Sequence, residues 1–266
     1  MKPCSLTQTT LAVLLAAACG GAQAQAFDAV RLYGTPSGAG EGSVGLAVIE
    51  TFQYMGSNER RTMVFPGLGY QWTNGWFAGT SNGVGYLFSS APDVQYGVRV
   101  TADFGRKESR SAALTGMGNI DARPELGVFF NYFPTREIFL TSSLRYGSGN
   151  DRDGLQVDLG AGYGVQLAPQ WRAAAGVAAT WVNGASMQEN FGVTSAQALS
   201  SGYAVYSAGA GLRDVRANLS LNWFITKEWT LTGAASVSSL QGDATDSPIV
   251  RQRTSTSGVL ALGYQF

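Results

Sequence analysis

From about residue 43 to the last residue, apolar side chains return at every second position, in one segment after another. In "VQYGVRVTADF" (94–104), Val94, Tyr96, Val98, Val100, Ala102 and Phe104 share one side. In "LQVDLGAGYGV" (155–165) the apolar set runs Leu155, Val157, Leu159, Ala161, Tyr163, Val165, against Gln156, Asp158 and three glycines. In "DVRANLSLNWFI" (214–225), Val215, Ala217, Leu219, Leu221, Trp223 and Ile225 oppose Asp214, Arg216, Asn218, Ser220 and Asn222. Successive strand side chains point to opposite faces, so this period excludes helices and demands strands with one greasy face.

Turn chemistry separates the strands. "TNG" (73–75) is a tight hairpin signal, and short connections fall at 134–137, 168–170 and 226–228. Longer polar stretches fall between them, at 105–122, 148–152, 183–212 and 241–252. Twelve alternating strands are expected, at 27–33, 43–54, 61–72, 76–88, 94–104, 123–133, 137–147, 153–167, 171–182, 213–225, 229–240 and 253–266. Ten, the next even count, is the alternative if 27–33 is a tail, since a single-chain barrel takes an even number, and Pro66 marks 61–72 as an irregular strand. Short turns at one end and long loops at the other describe an all-β, transmembrane, antiparallel up-and-down barrel of the outer-membrane kind. Counting back from Phe266 as a strand entering the periplasm puts the three short connections inside and the long loops outside.

Aromatic placement points to lipid around the barrel rather than a sandwich core. Trp171 and Trp181 end one strand on one face, while Trp72/Trp76, Phe133/Phe139 and Trp223/Trp229 flank turns. Such girdles sit at the two interfaces of a membrane barrel. The last strand ends on Phe266, behind Tyr264, Leu262 and Leu260 at alternate positions. This ending resembles the C-terminal signal by which barrel assembly machinery recognises its substrates.

The first residues read differently. Lys2 precedes the apolar run "LAVLLAAAC" (11–19), and "AQAQA" offers small-residue cleavage sites after Ala24 or Ala26. Residues 1–26 are thus expected to be an export signal removed from a barrel domain at 27–266. The competing reading is a lipoprotein signal acylated at Cys19. Cys4 and Cys19 are the only cysteines, so the mature barrel is expected to lack disulfides.

Composition narrows the function. Basic and acidic side chains both number 18, so no nucleic-acid footprint is visible. Histidine is absent, which removes Ser-His-Asp and Cys-His chemistry and any His-ligated metal. "GNDRDG" (149–154) fails as a calcium loop because Gly160 stands where the bidentate acid belongs. "GAGYG" (160–164) lacks the strand-to-helix context of a dinucleotide site. No cofactor or metal is expected, and the reading is non-enzymatic. A hydrolase using carboxylates alone is kept as an alternative. The lumen-facing charges are expected to be Arg99, Arg145, Arg172 and Arg216 with Asp103, Glu125, Asp158 and Asp214. They are either ion pairs that stiffen the barrel or the lining of a selective pore.

Five stretches remain, "YMGSNERR" (54–61), "GLGYQWTNGWFAGTSNGVGY" (67–86), "GRKESR…LTGMGNIDARPELG" (105–127), "FGVTSAQALSSGYAVYSAGAGLRDV" (191–215) and "GDATDSPIV" (242–250). Together they resemble the MipA/OmpV family of Gram-negative outer-membrane proteins, named for MltA-interacting protein. The family's Tyr-x-Gly-Ser falls on Tyr54, Gly56 and Ser57. Its Gly-Asp-x-x-Asp-Ser-Pro falls on Gly242, Asp243, Asp246, Ser247 and Pro248. Asn119 replaces an acid that the family often carries. The resemblance implies a non-enzymatic barrel. In one branch it holds a lytic transglycosylase to a bifunctional murein synthase. Other branches are porin-like or adhesive, and the motifs do not choose among them.

Overall fold

The computed structural model describes residues 40–89 and 91–266. The expected export signal and the expected strand 27–33 lie outside them. The described chain forms twelve strands in a closed barrel, each hydrogen-bonded to its neighbours in sequence, with the last returning to the first. They are β1 (Glu41–Phe52), β2 (Arg60–Gln71), β3 (Trp76–Gly79), β4 (Gly83–Leu87), β5 (Val94–Asp103) and β6 (Arg123–Tyr132). β7 (Ile138–Ser148), β8 (Gly154–Ala168), β9 (Trp171–Val182), β10 (Gly211–Phe224), β11 (Trp229–Leu240) and β12 (Thr254–Gln265) complete the wall. Antiparallel pairing from Ser43–Gln265 to Glu50–Gly258 closes it, leaving no continuous free edge there. Phe266 is tied in by reciprocal backbone bonds with Gly42, both 2.9 Å.

The count of twelve is reached by a different route from the expected one. The segment 76–88, expected as a single strand, is the short hairpin β3–β4. This split reverses β1 and β2 relative to a count that starts at 27–33. The 73–75 turn therefore joins the short-turn end, and the connection 53–59 joins the long-loop end. The overlooked signal was a second Asn-Gly, at Asn82–Gly83, since such a pair marks a hairpin turn. Gly83 has φ +75°, and a Cβ there would sit 1.9 Å from the Val100 carbonyl oxygen. Only glycine lets β4 begin at that point.

Period-two alternation sorts the side chains as a membrane barrel requires. Val44, Leu46 and Val48 on β1, Leu126 and Val128 on β6 and Leu219 and Leu221 on β10 are outward-facing and exposed. Such a continuous apolar belt far exceeds the few hundred Å² that a water-soluble monomer exposes. Below it lies an aromatic girdle, including the stacked pair Trp171–Trp223 (centroids 5.4 Å, 2° between planes) and the Trp229–Tyr264 contact at 5.0 Å. Inward positions are small or polar, as on β8, where Gln156 and Asp158 give way to Gly160, Gly162 and Gly164. Part of the glycine run is filled by a ring from the neighbouring strand. A Cβ on Gly162 would lie 2.2 Å from the Phe139 ring. No helix among the described residues is long and apolar enough to cross a membrane.

At the long-loop end the connections fold on one another. Helix α1 (Gly184–Phe191) starts on Asn183, whose side chain accepts from the Ser186 amide. Helix α2 (Ser195–Ser201) has a reciprocal capping box between Thr194 and Gln197 and stops at Gly202, φ +77°. Two buried apolar clusters result. One joins Tyr54, Leu114, Met117, Val193 and Ile249. The other joins Val182, Met187, Phe191, Ala208, Leu240 and Ala244.

Candidate functional site: a charge-filled lumen under a folded loop cap

Inside the barrel wall, three carboxylates alternate with three guanidiniums. Glu125 Oε2 lies 3.2 Å from Arg145 Nη1, and Arg145 Nη2 lies 2.8 Å from Asp158 Oδ2. Asp158 Oδ1 stands 3.4 Å from Arg216 Nη2, and Arg216 Nε stands 3.4 Å from Asp214 Oδ1. Arg213 Nε closes the row on Asp214 Oδ2 at 2.8 Å. Thr180 donates to Asp158 at 2.7 Å and accepts from Arg216 at 2.8 Å, and Arg213 donates to the Gln156 side chain at 2.6 Å. All six ionic groups are buried. Balanced charge and shared hydrogen bonds are what allow ions to persist where water is scarce.

Of the charges expected to face the lumen, Glu125, Arg145, Asp158, Arg216 and Asp214 meet in this row. Arg99 stands apart, donating to Ser143 Oγ at 2.8 Å with its guanidinium 5.4 Å from the Phe129 ring centre. Arg172 lines the cavity described below. Asp103 instead caps the next loop, accepting from the Gly105 amide at 3.0 Å. Arg213 was missed by strict alternation. The β9–β10 register shifts between Leu212 and Asp214, so Arg213 and Asp214 are both buried inside. A bulge of this kind leaves no signature in a period-two reading.

Two members of the row, Asp158 and Arg216, line a cavity of about 760 Å³. Arg99, Ser143, Asp158 and Arg216 line its inner end, while Gln71, Arg136, Glu228 and Gln265 line it near the short turns. No group of residues among those described is arranged to hold a metal ion.

Above the row sits the loop cap, and both family-like motifs lie in it, against each other. Tyr54 is buried and donates to the Ile249 carbonyl at 2.9 Å. Gly56 has φ +88°, and its carbonyl accepts from Arg251 (2.7 Å) and Gln252 (3.0 Å). Buried Ser57 accepts from the Glu59 amide at 3.0 Å. From the second motif, Gly242 (φ +51°) starts a single turn. Asp243 accepts from the Gly209 amide at 2.6 Å, Asp246 pairs with Arg253 at 3.1 Å, and Ser247 donates to the Phe191 carbonyl at 2.5 Å. Pro248 lies beside Ile249, which is wholly buried in the cap. Asn119 accepts from the Glu108 amide at 2.8 Å, so its side chain shapes the loop.

Two titratable groups stitch the cap to the barrel rim. Arg106 donates to the Asn190 carbonyl at 2.9 Å, and burial lowers its pKa to about 10, so it stays charged at neutral pH. Glu189, half-buried on α1, accepts from the Asn150 amide at 2.6 Å. Burial, opposed by that amide, raises its carboxyl above the usual range. A raised folded-state pKa gives stability that is present in acid and lost as pH rises through that pKa. Amide-exchange protection of α1, corrected for intrinsic rates, should therefore increase from pH 7 to pH 5. Glu189→Gln should flatten that dependence.

The family described as MltA-interacting protein MipA matches residues 44–266. A search of curated proteins finds no match. Among solved structures, the chain is similar to a KdgM porin at 9 % identity, TM-score 0.46, over 84 % of this chain and 99 % of that one. It is similar to an outer-membrane channel of Pseudomonas putida F1 at 12 % identity, TM-score 0.47, over 87 % and 97 %. The third is the channel DcaP of Acinetobacter baumannii, at 11 % identity, TM-score 0.42, over 88 % and 99 %. A family match across most of the chain, on a closed barrel with a lipid-facing belt, makes this an outer-membrane barrel. The chain belongs to the MltA-interacting protein MipA family.

Proposed function

We propose that the protein is a non-enzymatic outer-membrane scaffold. After residues 1–26 are removed on export, its short-turn end faces the periplasm. There it engages murein-remodelling enzymes, a lytic transglycosylase and a bifunctional murein synthase. The observation that carries this reading is the lumen. A buried row of matched charges reaches into it, and the long loops fold into two apolar clusters above. An interior built to stay filled suits an anchor better than a conduit. The family's name points to a transglycosylase as partner, and the ordered termini of β1 and β12 give the periplasmic rim a fixed surface.

Cross-linking in intact membranes followed by affinity purification should recover a lytic transglycosylase. Recovery of no murein enzyme under conditions that capture the assembly machinery would refute the scaffold. A small diffusion pore is the second reading, favoured by the cavity of about 760 Å³. The scaffold predicts no discrete conductance steps in planar bilayers. Regular steps from the unmodified protein would replace it with the pore.

A further inference from the structure

The run 27–33, expected as a strand, is not needed to close the wall. β1 already has a strand on each edge, β12 on one and β2 on the other. Phe27, Val30, Leu32 and Tyr33 therefore have no place in the lipid-facing belt. In periplasmic water they would forgo the free energy that apolar burial gives.

The inner wall offers a surface of two kinds. Ile49, Phe65 and Val259 form a buried apolar cluster on β1, β2 and β12, with Ala47, Ala234 and Ala261 packed against it. Ile49, Phe65 and Ala261 also line the cavity, so the cluster faces the lumen and not the lipid. Next to it, Ser220 lies opposite Ala234, Ser236 opposite Asn218 and Ser238 opposite Arg216. These three serines are at most 3 % exposed, and their hydroxyls have no hydrogen-bond partner among the described residues. Hydroxyls buried this deeply are paired in native proteins. Water would satisfy them and leave the apolar cluster wet, while an alkyl chain would do the reverse. A polypeptide serves both, with backbone N–H and C=O for the hydroxyls and side chains for the cluster.

Chain geometry supplies such a polypeptide. The Gly40 amide donates to the Gln71 carbonyl at 2.7 Å at the short-turn end, where Gln71 lines the cavity. At φ +87° Gly40 leaves the extended conformation, so the residues before it turn off the line of β1. The run "GTPSGA" (34–39) just ahead of it is rich in turn formers. At ~3.3 Å per residue, 27–39 reach about 43 Å, whereas the climb from Gly40 to Ile49 along β1 takes about 30 Å. Asp28 and Arg31 are the charged side chains of the segment, so it adds no net side-chain charge beside a balanced ionic row.

We infer that residues 27–39 fold back through the short-turn end as an internal plug, with 27–33 laid against the Ile49–Phe65–Val259 cluster and the three serine hydroxyls. The protein's own N-terminal segment, rather than a partner or a lipid, then closes the lumen from the periplasmic side. Tethered to β1, it acts at an effective concentration of millimolar order, so modest contacts keep it seated. The inference takes from the proposed function only the removal of residues 1–26, which the intact mass of the purified protein reads separately. A mass that includes 1–26 would overturn it.

The test uses the mature chain, which starts without cysteine because Cys4 and Cys19 lie in the removed segment. In detergent micelles, Leu32→Cys should react with a bulky polyethylene-glycol maleimide at least tenfold more slowly than Thr73→Cys on the 73–75 turn. After denaturation the two should react equally fast. Ala261→Cys, on the cavity wall beside the cluster, reports from the other side. A small charged methanethiosulfonate should modify it at least tenfold faster once 27–39 are deleted, and added synthetic peptide 27–39 should restore the slow rate. Leu32→Cys labelled as fast as Thr73→Cys would mean a segment free in solvent. Unchanged Ala261→Cys modification on deletion would mean a different occupant, and a rise that the peptide does not reverse would mean a loosened wall. Each of these three results overturns the plug. If the deletion variant does not assemble, the Leu32→Cys comparison on the full mature chain decides alone. Recovery of a murein enzyme is indifferent to all of them.

Discussion

Asp158→Asn should lower the unfolding free energy of the barrel by about 3 kcal/mol, the lower part of the range for breaking a buried ion pair. Asp158 serves two arginines, Arg145 at 2.8 Å and Arg216 at 3.4 Å, and accepts from Thr180. Its loss leaves Glu125 as the carboxylate of the row beside Arg145 and Asp214 as the one beside Arg216, each at a longer distance than the bond removed from Arg145. Urea unfolding in phospholipid vesicles, followed by tryptophan emission, measures the change. The penalty belongs to the buried cations whose charge is no longer matched rather than to the lost carboxylate. Adding Arg145→Gln should therefore recover part of it, with a coupling of at least about 1 kcal/mol. A change below about 1 kcal/mol for Asp158→Asn, with no coupling, would mean that the row is well hydrated and contributes little.

Gly56→Val is expected to unlatch the loop cap while leaving the barrel intact. At φ +88° a β-branched residue is strained, by roughly 1–2 kcal/mol for the left-handed backbone. Its Cβ would lie 2.6 Å from Val250 Cγ2 as well. Relief requires the 242–250 segment to move off 54–57, which breaks the Tyr54–Ile249 hydrogen bond and releases the Arg251 and Gln252 amides from the Gly56 carbonyl, so that the backbone beside the already exposed Arg251 and Arg253 can enter a protease. A total near 2 kcal/mol raises the open population more than tenfold. Trypsin should then cut at Arg251 or Arg253 at least tenfold faster in the variant. If the cap rather than the wall limits passage, the variant should also add irregular conductance to an otherwise silent barrel. Unchanged cleavage would show that Gly56 is not the latch.

Strands 171–182 and 229–240 were placed to the residue because a lipid-facing strand must alternate along its whole length. The interior charges of β6 to β10 followed from the same rule. Where the rule is locally suspended, the reading failed. Arg213 sits on a bulge, so its inward turn is decided by how β9 and β10 pair and not by its own neighbours in sequence. The stretch 76–88 kept good alternation on both sides of an Asn-Gly, and one long strand and two short ones look alike until β5 fixes their partners. The candidate site was legible as a set of charges but not as a row, since which arginine meets which acid depends on stagger around the barrel.

The family-like motifs show the same division. Tyr54 and Ile249 are separated by 195 positions, and nothing local requires them to touch. What the sequence determined alone was the periodicity, and through it an apolar exterior, a polar, glycine-rich interior and strands that must close on themselves, because burial of each face depends only on residue order. What the tertiary structure decided was the direction of β1 and β2, the connectivity of the ionic row and the docking of distant loops into a cap. Those are set by register between strands, a property of pairs of segments that no single segment encodes.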